Sequence, residues 1–187
     1  MIRLEYFGRE DFEQLINWIS DEELLTNWSG AMFRFPLTPE SMEWYIKDTN
    51  NLQTSDALVY KVIEVETGQT VGHISLGGIS RKNKAARISR VLVSPAARGK
   101  GYCYHMTTEV LKVAFNDLGL HRVTLGVYDF NKSAIACYKK AGMQVEGIMR
   151  DALKYGDAYW TLIEMAMLED EWQALQKNLR SCNIDIG

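Results

Sequence analysis

The chain has 187 residues, 47% of them apolar, and a net charge of −3 from 21 basic and 24 acidic side chains; this suffices for one compact core and is short for two. No apolar run reaches the roughly 18 to 20 residues of a membrane span, and the opening MIRLEYFGREDFEQL lacks the basic end, apolar middle and small-residue cleavage site of a secretory leader, so a cytoplasmic location is expected. Cys103, Cys137 and Cys182 are odd in number and show no CxxC or paired Cys/His spacing, so they are expected to be ordinary thiols, with neither a disulfide framework nor a metal site.

In chain order, REDFEQLINWISDEELLTNW places Phe12, Leu15, Ile16 and Ile19 at helical spacing, and an amphipathic helix is predicted as the first element. After a turn with Gly30 and Pro36, LTPESMEWYIKDT predicts a second helix capped by Thr38, with Pro39 at its first position. From Ala57 the texture turns β-branched: ALVYKVIEVE, TVGHISLGGIS and ARISRVLVSP predict three antiparallel strands. GYCYHMTTEVLKVAFNDLGL returns to the helical period and stops at Gly119. HRVTLGVYDFN predicts a strand, and NKSAIACYKKAG a short helix from Asn131 to Gly142. Two strands around YGDA and a final helix or tail in EDEWQALQKNL complete an α+β pattern. One domain over 1–175, followed by a tail at 176–187, is expected.

Charge is unevenly spread. Residues 1–60 carry eleven acids and four bases, whereas 81–101 carry seven bases and no acid. Anionic and cationic ligands therefore have separate docking places, and the acidic remainder would repel a long polyanion, so nucleic acid is not the expected partner. Within the basic block, RVLVSPAARGKGYCYHM runs a strand into a helix through two glycines. Free amides around Gly99, Lys100, Gly101, Tyr102 and Cys103, with the cations of Arg98 and Lys100, suit a pyrophosphate. The segment is neither GxxxxGK[ST] nor GxGxxG.

VLVSPAARGKGYC resembles the coenzyme A signature of the GNAT acetyltransferase superfamily, R/Q-x-x-G-x-G/A after a strand, matched at Arg98 and Gly101, with Cys103 where Gly or Ala is usual. DFNKSAIACYKKAGM resembles that family's N-x-x-A-x-x-x-Y-x-K-x-G-F segment, matched at Asn131, Ala134, Tyr138, Lys140 and Gly142, with Met143 in place of Phe. RGKGY, HRVTLGVYDFN and MLEDEW look most like the RimJ/RimL branch. The resemblance covers roughly residues 3–172. It implies the GNAT acyl-CoA N-acyltransferase fold, a mixed, mostly antiparallel twisted sheet flanked by helices, and transfer of an acetyl group from acetyl-CoA to a protein N-terminal amine or a small amine. It further implies that the diphosphate sits on Gly99–Cys103, that the pantetheine arm pairs with Val91, Leu92 and Val93, and that Asn131 contacts the coenzyme. It allows a homodimer and requires no metal. A non-catalytic acyl-CoA sensor is the alternative.

Transfer from a thioester to an amine needs a held donor, an uncharged amine, stabilisation of the developing oxyanion and a proton for the leaving thiolate. A backbone N–H near Leu92 or Val93 would serve the oxyanion. Tyr138 is the candidate acid, since a phenol of pKa ~10 can protonate a thiolate of ~8.5. The strand before the loop has Arg87, Ser89 and Arg90 where family members carry a Glu, so the base is open: His73 is the first candidate, with Glu43, Glu146 and Asp151 behind it. For the acceptor, an aromatic, acidic groove is expected from the N-terminal helices and the late hairpin, with Trp28 and Glu43 as contacts and Glu22 and Glu23 nearby.

Overall fold

The computed structural model describes residues 1–184, with side chains through 178. Among the described residues, seven strands form one sheet in the order β1-β2-β3-β4-β5-β7-β6: β1 (Ile2–Tyr6), β2 (Leu58–Glu64), β3 (Thr70–Ser80), β4 (Ala85–Val93), β5 (Arg122–Tyr128), β6 (Gln144–Tyr155) and β7 (Ala158–Leu168). β4 and β5 run parallel; every other neighbouring pair is antiparallel. The helices are α1 (Phe12–Trp18), α2 (Glu22–Ser29), α3 (Pro39–Ile46), α4 (Tyr102–Lys112), α5 (Lys132–Lys140) and α6 (Glu169–Ile184). No helix among the described residues is long and apolar enough to cross a membrane.

Alternation along β2 divides the core. Leu58, Tyr60 and Val62 join one buried cluster with Met106, Val110 and Leu111 of α4, while Val59 points the other way, into a cluster with Leu15, Leu25 and Met42 of α1, α2 and α3. α4 packs closely on β3 because Gly72 has no side chain: a Cβ there would lie 2.7 Å from Met106 Sδ.

Most predicted elements form where expected, including α3 with its Thr38 cap and Pro39, and α5, whose Asn131 cap accepts from the Ala134 amide at 3.2 Å. Three differ. β1 precedes the first helix, paired along its length with β2. The single long N-terminal helix is divided at Ser20–Asp21, where Asp21 leaves helical geometry to accept the Leu24 amide at 2.8 Å and start α2 afresh. The range read as a tail is helical as far as Ile184, and 185–187 lie outside the described residues.

Two irregularities prepare the site. The parallel ladder of β4 and β5 runs only from Ala85–Arg122 to Arg87–Thr124; beyond it the strands part. Against β3, Leu92 pairs with His73 and Ser89 with Ser75, so β4 spends one extra residue there, and Arg90 takes φ 52°. Such a bulge bends its strand.

Candidate active site

Where β4 and β5 diverge, a cleft of about 470 Å³ opens. Its floor at one end is the turn that follows β4. Gly99 and Gly101 have φ of 78° and 80°, and nothing lies within 4 Å of a Cβ built on either, so backbone conformation rather than crowding calls for glycine. Gly101 is the N-cap of α4 and has no side chain to bond the first-turn amides, and that turn carries no acid. Amides and the positive end of the helix dipole therefore meet at one spot, suited to an anion.

Nine of the ten residues expected to touch the coenzyme line this cleft: Val91, Leu92, Val93, Arg98, Gly99, Gly101, Tyr102, Cys103 and Asn131. Lys100 does not; it is exposed. Cys103 corrects the expectation of free thiols. It is disulfide-bonded to Cys137, with Cα atoms 6.3 Å apart, because the first turn of α4 lies beside α5. Lys140 Nζ, 5.0 Å from the centroid of the Tyr104 ring, joins the same two helices again.

Tyr138 lines the cleft from α5, seven residues and about two turns after Asn131. Only 6% of it is exposed, and burial pushes its phenol pKa well above the ordinary value. It holds its proton at neutral pH.

The other candidates are scattered. His73 is buried in a box of aromatic rings, 4.7 Å from Phe7 and 5.6 Å from Trp28 between centroids, and lines neither the cleft nor the cavity beside it. Its Nε2 hydrogen-bonds the Tyr45 hydroxyl at 3.1 Å. Burial, aided by the charge of Arg90, lowers its pKa to about 3. As a base at the reacting amine it is misplaced. Glu43 is occupied by Arg9 at 2.7 Å on an outer surface, Glu146 by Arg122 at 2.8 Å, and Asp151 is exposed on β6. Glu22 and Glu23 face solvent at the start of α2. Trp28 does reach the site: it lines both the cleft and an adjoining cavity of about 390 Å³.

The expected acidic groove is therefore replaced by a wall without carboxylates. Sequence reasoning noted Arg87 and Arg90 only for the missing Glu on their strand, and missed that they stand there with Gly126 and Tyr128. Arg87 crosses β5 above Gly126 and makes two 2.8 Å bonds to Glu164 of β7, a residue that pairs with Gly126 in the ladder. Partners 77 residues apart leave no local signal.

Residues 2–144 match the family model described as Acetyltransferase (GNAT) domain. The chain is 28% identical to the SPbeta prophage-derived uncharacterized N-acetyltransferase YokL of Bacillus subtilis (strain 168), over 82% of each chain. It is 27% identical to the spermidine N(1)-acetyltransferase of Escherichia coli (strain K12), over 62% of this chain and 61% of that one. In fold it is similar to the crystal structure of spermidine N-acetyltransferase from Vibrio cholerae in complex with CoA and spermine, with a TM-score of 0.79, 19% identity, and coverage of 92% of this chain and 98% of that chain.

Proposed function

Because the chain belongs to the GNAT acetyltransferase family and is an N-acetyltransferase, we propose that the cleft between β4 and β5 is where it moves an acetyl group from acetyl-CoA to a primary amine, of a small molecule or a protein N-terminus. The reading is supported above all by one juxtaposition: the glycine turn ahead of α4, the segment of β4 past the end of its ladder with β5, and Tyr138 all line one cleft. The amides of Gly99–Cys103 with Arg98 hold the diphosphate, and Val91–Val93 present main-chain groups to the pantetheine arm. Acetyl-CoA supplies the activated thioester. An N–H near Leu92 or Val93 receives the carbonyl oxygen. The amine nitrogen bonds the acetyl carbon as the carbon–sulfur bond breaks; Tyr138 gives its proton to the departing sulfur and recovers one through solvent from the nitrogen. Among the described residues, no side chain of the cleft wall is a carboxylate, which suits an amine that loses its proton to water.

RGKGY, HRVTLGVYDFN and the closing MLEDEW favour a place in the RimJ/RimL-like branch; two identical subunits and a cytoplasmic location are compatible with it. The relatives named for spermidine share the amine acceptor. The test is a panel of amines incubated with acetyl-CoA while free thiol is followed. Release with at least one amine supports transfer. Coenzyme binding with no release on any amine refutes it in favour of an acyl-CoA sensor.

A further inference from the structure

The cavity of about 390 Å³ beside the cleft shares Ser89, Arg90, Gly126 and Tyr128 with it, so the two open into each other where β4 and β5 part. Its ionisable lining residues are Arg87, Arg90 and Tyr128, with no carboxylate among the described ones. The charge of Arg87 is matched by Glu164 at 2.8 Å. That of Arg90 is not: among the described residues it forms no ion pair. Its guanidinium donates to Met32 Sδ at 3.2 and 2.9 Å and to Ser89 Oγ, and lies 5.1 Å from the centroid of the Tyr45 ring. A thioether, a hydroxyl and a ring face fix the orientation of a guanidinium and leave its charge uncompensated.

Building on the transfer reading above, we propose that the acceptor is an α-amino acid, whose carboxylate pairs with Arg90 while its amine lies at the junction of the two cavities. The planar guanidinium fork matches a carboxylate with two parallel hydrogen bonds. Because Arg90 lines both cavities, and one carbon separates amine from carboxylate in such a molecule, anchoring the carboxylate brings the nitrogen to the mouth of the cleft. Arg90 takes no proton and determines specificity only. A polycation would instead bring its further positive charges beside an unpaired arginine in a cavity without acids, which is unfavourable.

The test compares the free protein amino acids, their carboxamides and spermidine as acceptors, in wild type and in Arg90→Gln and Arg90→Lys, with thiol release as one readout. Calorimetry of the same amino acids on CoA-saturated protein is the second. Acids are expected to exceed their amides by roughly 10- to 150-fold in kcat/KM, the range of a charge-assisted pair. The preference should vanish in Arg90→Gln and partly return in Arg90→Lys, with coenzyme affinity unchanged as the check on folding. If wild type acetylates amides or spermidine as well as acids, this inference fails and acetyl transfer stands. If no amine releases thiol while amino acids still bind in an Arg90-dependent way, transfer fails and the carboxylate pairing stands. Neither release nor binding overturns both.

Discussion

Gly126→Ala tests how the wall of the cavity beside the cleft is built. A methyl group on Gly126 lands on Arg87 Nη2 and within 3.1 and 3.2 Å of the Leu162 methyls, so the guanidinium must leave its position over β5. The two 2.8 Å bonds to Glu164 then break. With the side chains 40% and 26% exposed, solvent screening reduces that loss to about 1 kcal/mol, and crowding against Leu162 adds about 1 kcal/mol. Against this, alanine restricts the unfolded chain by about 0.5 kcal/mol, since Gly126 is not among the glycines of positive φ. The net cost is about 1.5 kcal/mol. Urea unfolding of four proteins, wild type, Gly126→Ala, Arg87→Ala and the double variant, gives the coupling directly. With Arg87 shortened there is no guanidinium to displace, so the alanine should cost about 1 kcal/mol less there than in wild type. Equal cost in both backgrounds would falsify the crossing of Arg87 over β5.

The remaining predictions concern the cleft and its surroundings. Tyr138→Phe keeps the buried volume and removes the proton, so kcat should fall about 10²- to 10⁴-fold with coenzyme affinity unchanged; an unaltered kcat returns Tyr138 to packing alone. Because burial raises its pKa, wild type should show no alkaline loss of rate from this group below about pH 10. His73, held at about 3 when folded against ~6.5 unfolded, refuses a proton that the unfolded chain accepts. Stability should therefore drop as pH falls from 6.5 towards 3, by up to about 1.4 kcal/mol per unit, and His73→Gln should flatten that slope; identical slopes would count against it. Removing the Cys103–Cys137 link, which closes 34 residues, should cost up to about 4 kcal/mol in non-reducing urea titrations, and unreduced protein should weigh two hydrogens less than reduced.

What could be read from the sequence was local. Thr38–Pro39 and Asn131 announce helices because a cap and its target amide lie three residues apart, and the segment expected to hold the coenzyme is contiguous from Val91 to Cys103. β1 was hidden because five residues gain their meaning from β2, nearly sixty positions on. The break at Asp21 was masked by apolar spacing that runs through it, although Ser-Asp ahead of Glu-Glu is an N-terminal signal in its own right. The disulfide and the Arg87–Glu164 pair depend on which helices and strands lie side by side, and no spacing records that. For the same reason the abundant acids of the first 60 residues misled: their number is visible in the sequence, their distance from the cleft is not.

One signal, however, was present and went unread. Along β4, Ala86 and Ile88 face the α4 side of the sheet, and strict alternation would send residue 90 there too. That position holds arginine, and the α4-side pattern resumes one residue later with Val91 and Val93, while Leu92 joins the opposite cluster. A guanidinium in the α4 core would be buried without a partner at a cost of several kcal/mol, so the strand does better to slip one residue, put Arg90 at φ 52° and turn it towards Tyr45 and Met32. The slip that keeps the charge out of the core also bends β4, just beyond the point where its ladder with β5 ends. A single arginine thus links the irregularity of β4 to the unpaired cation that lines both the cleft and the cavity beside it.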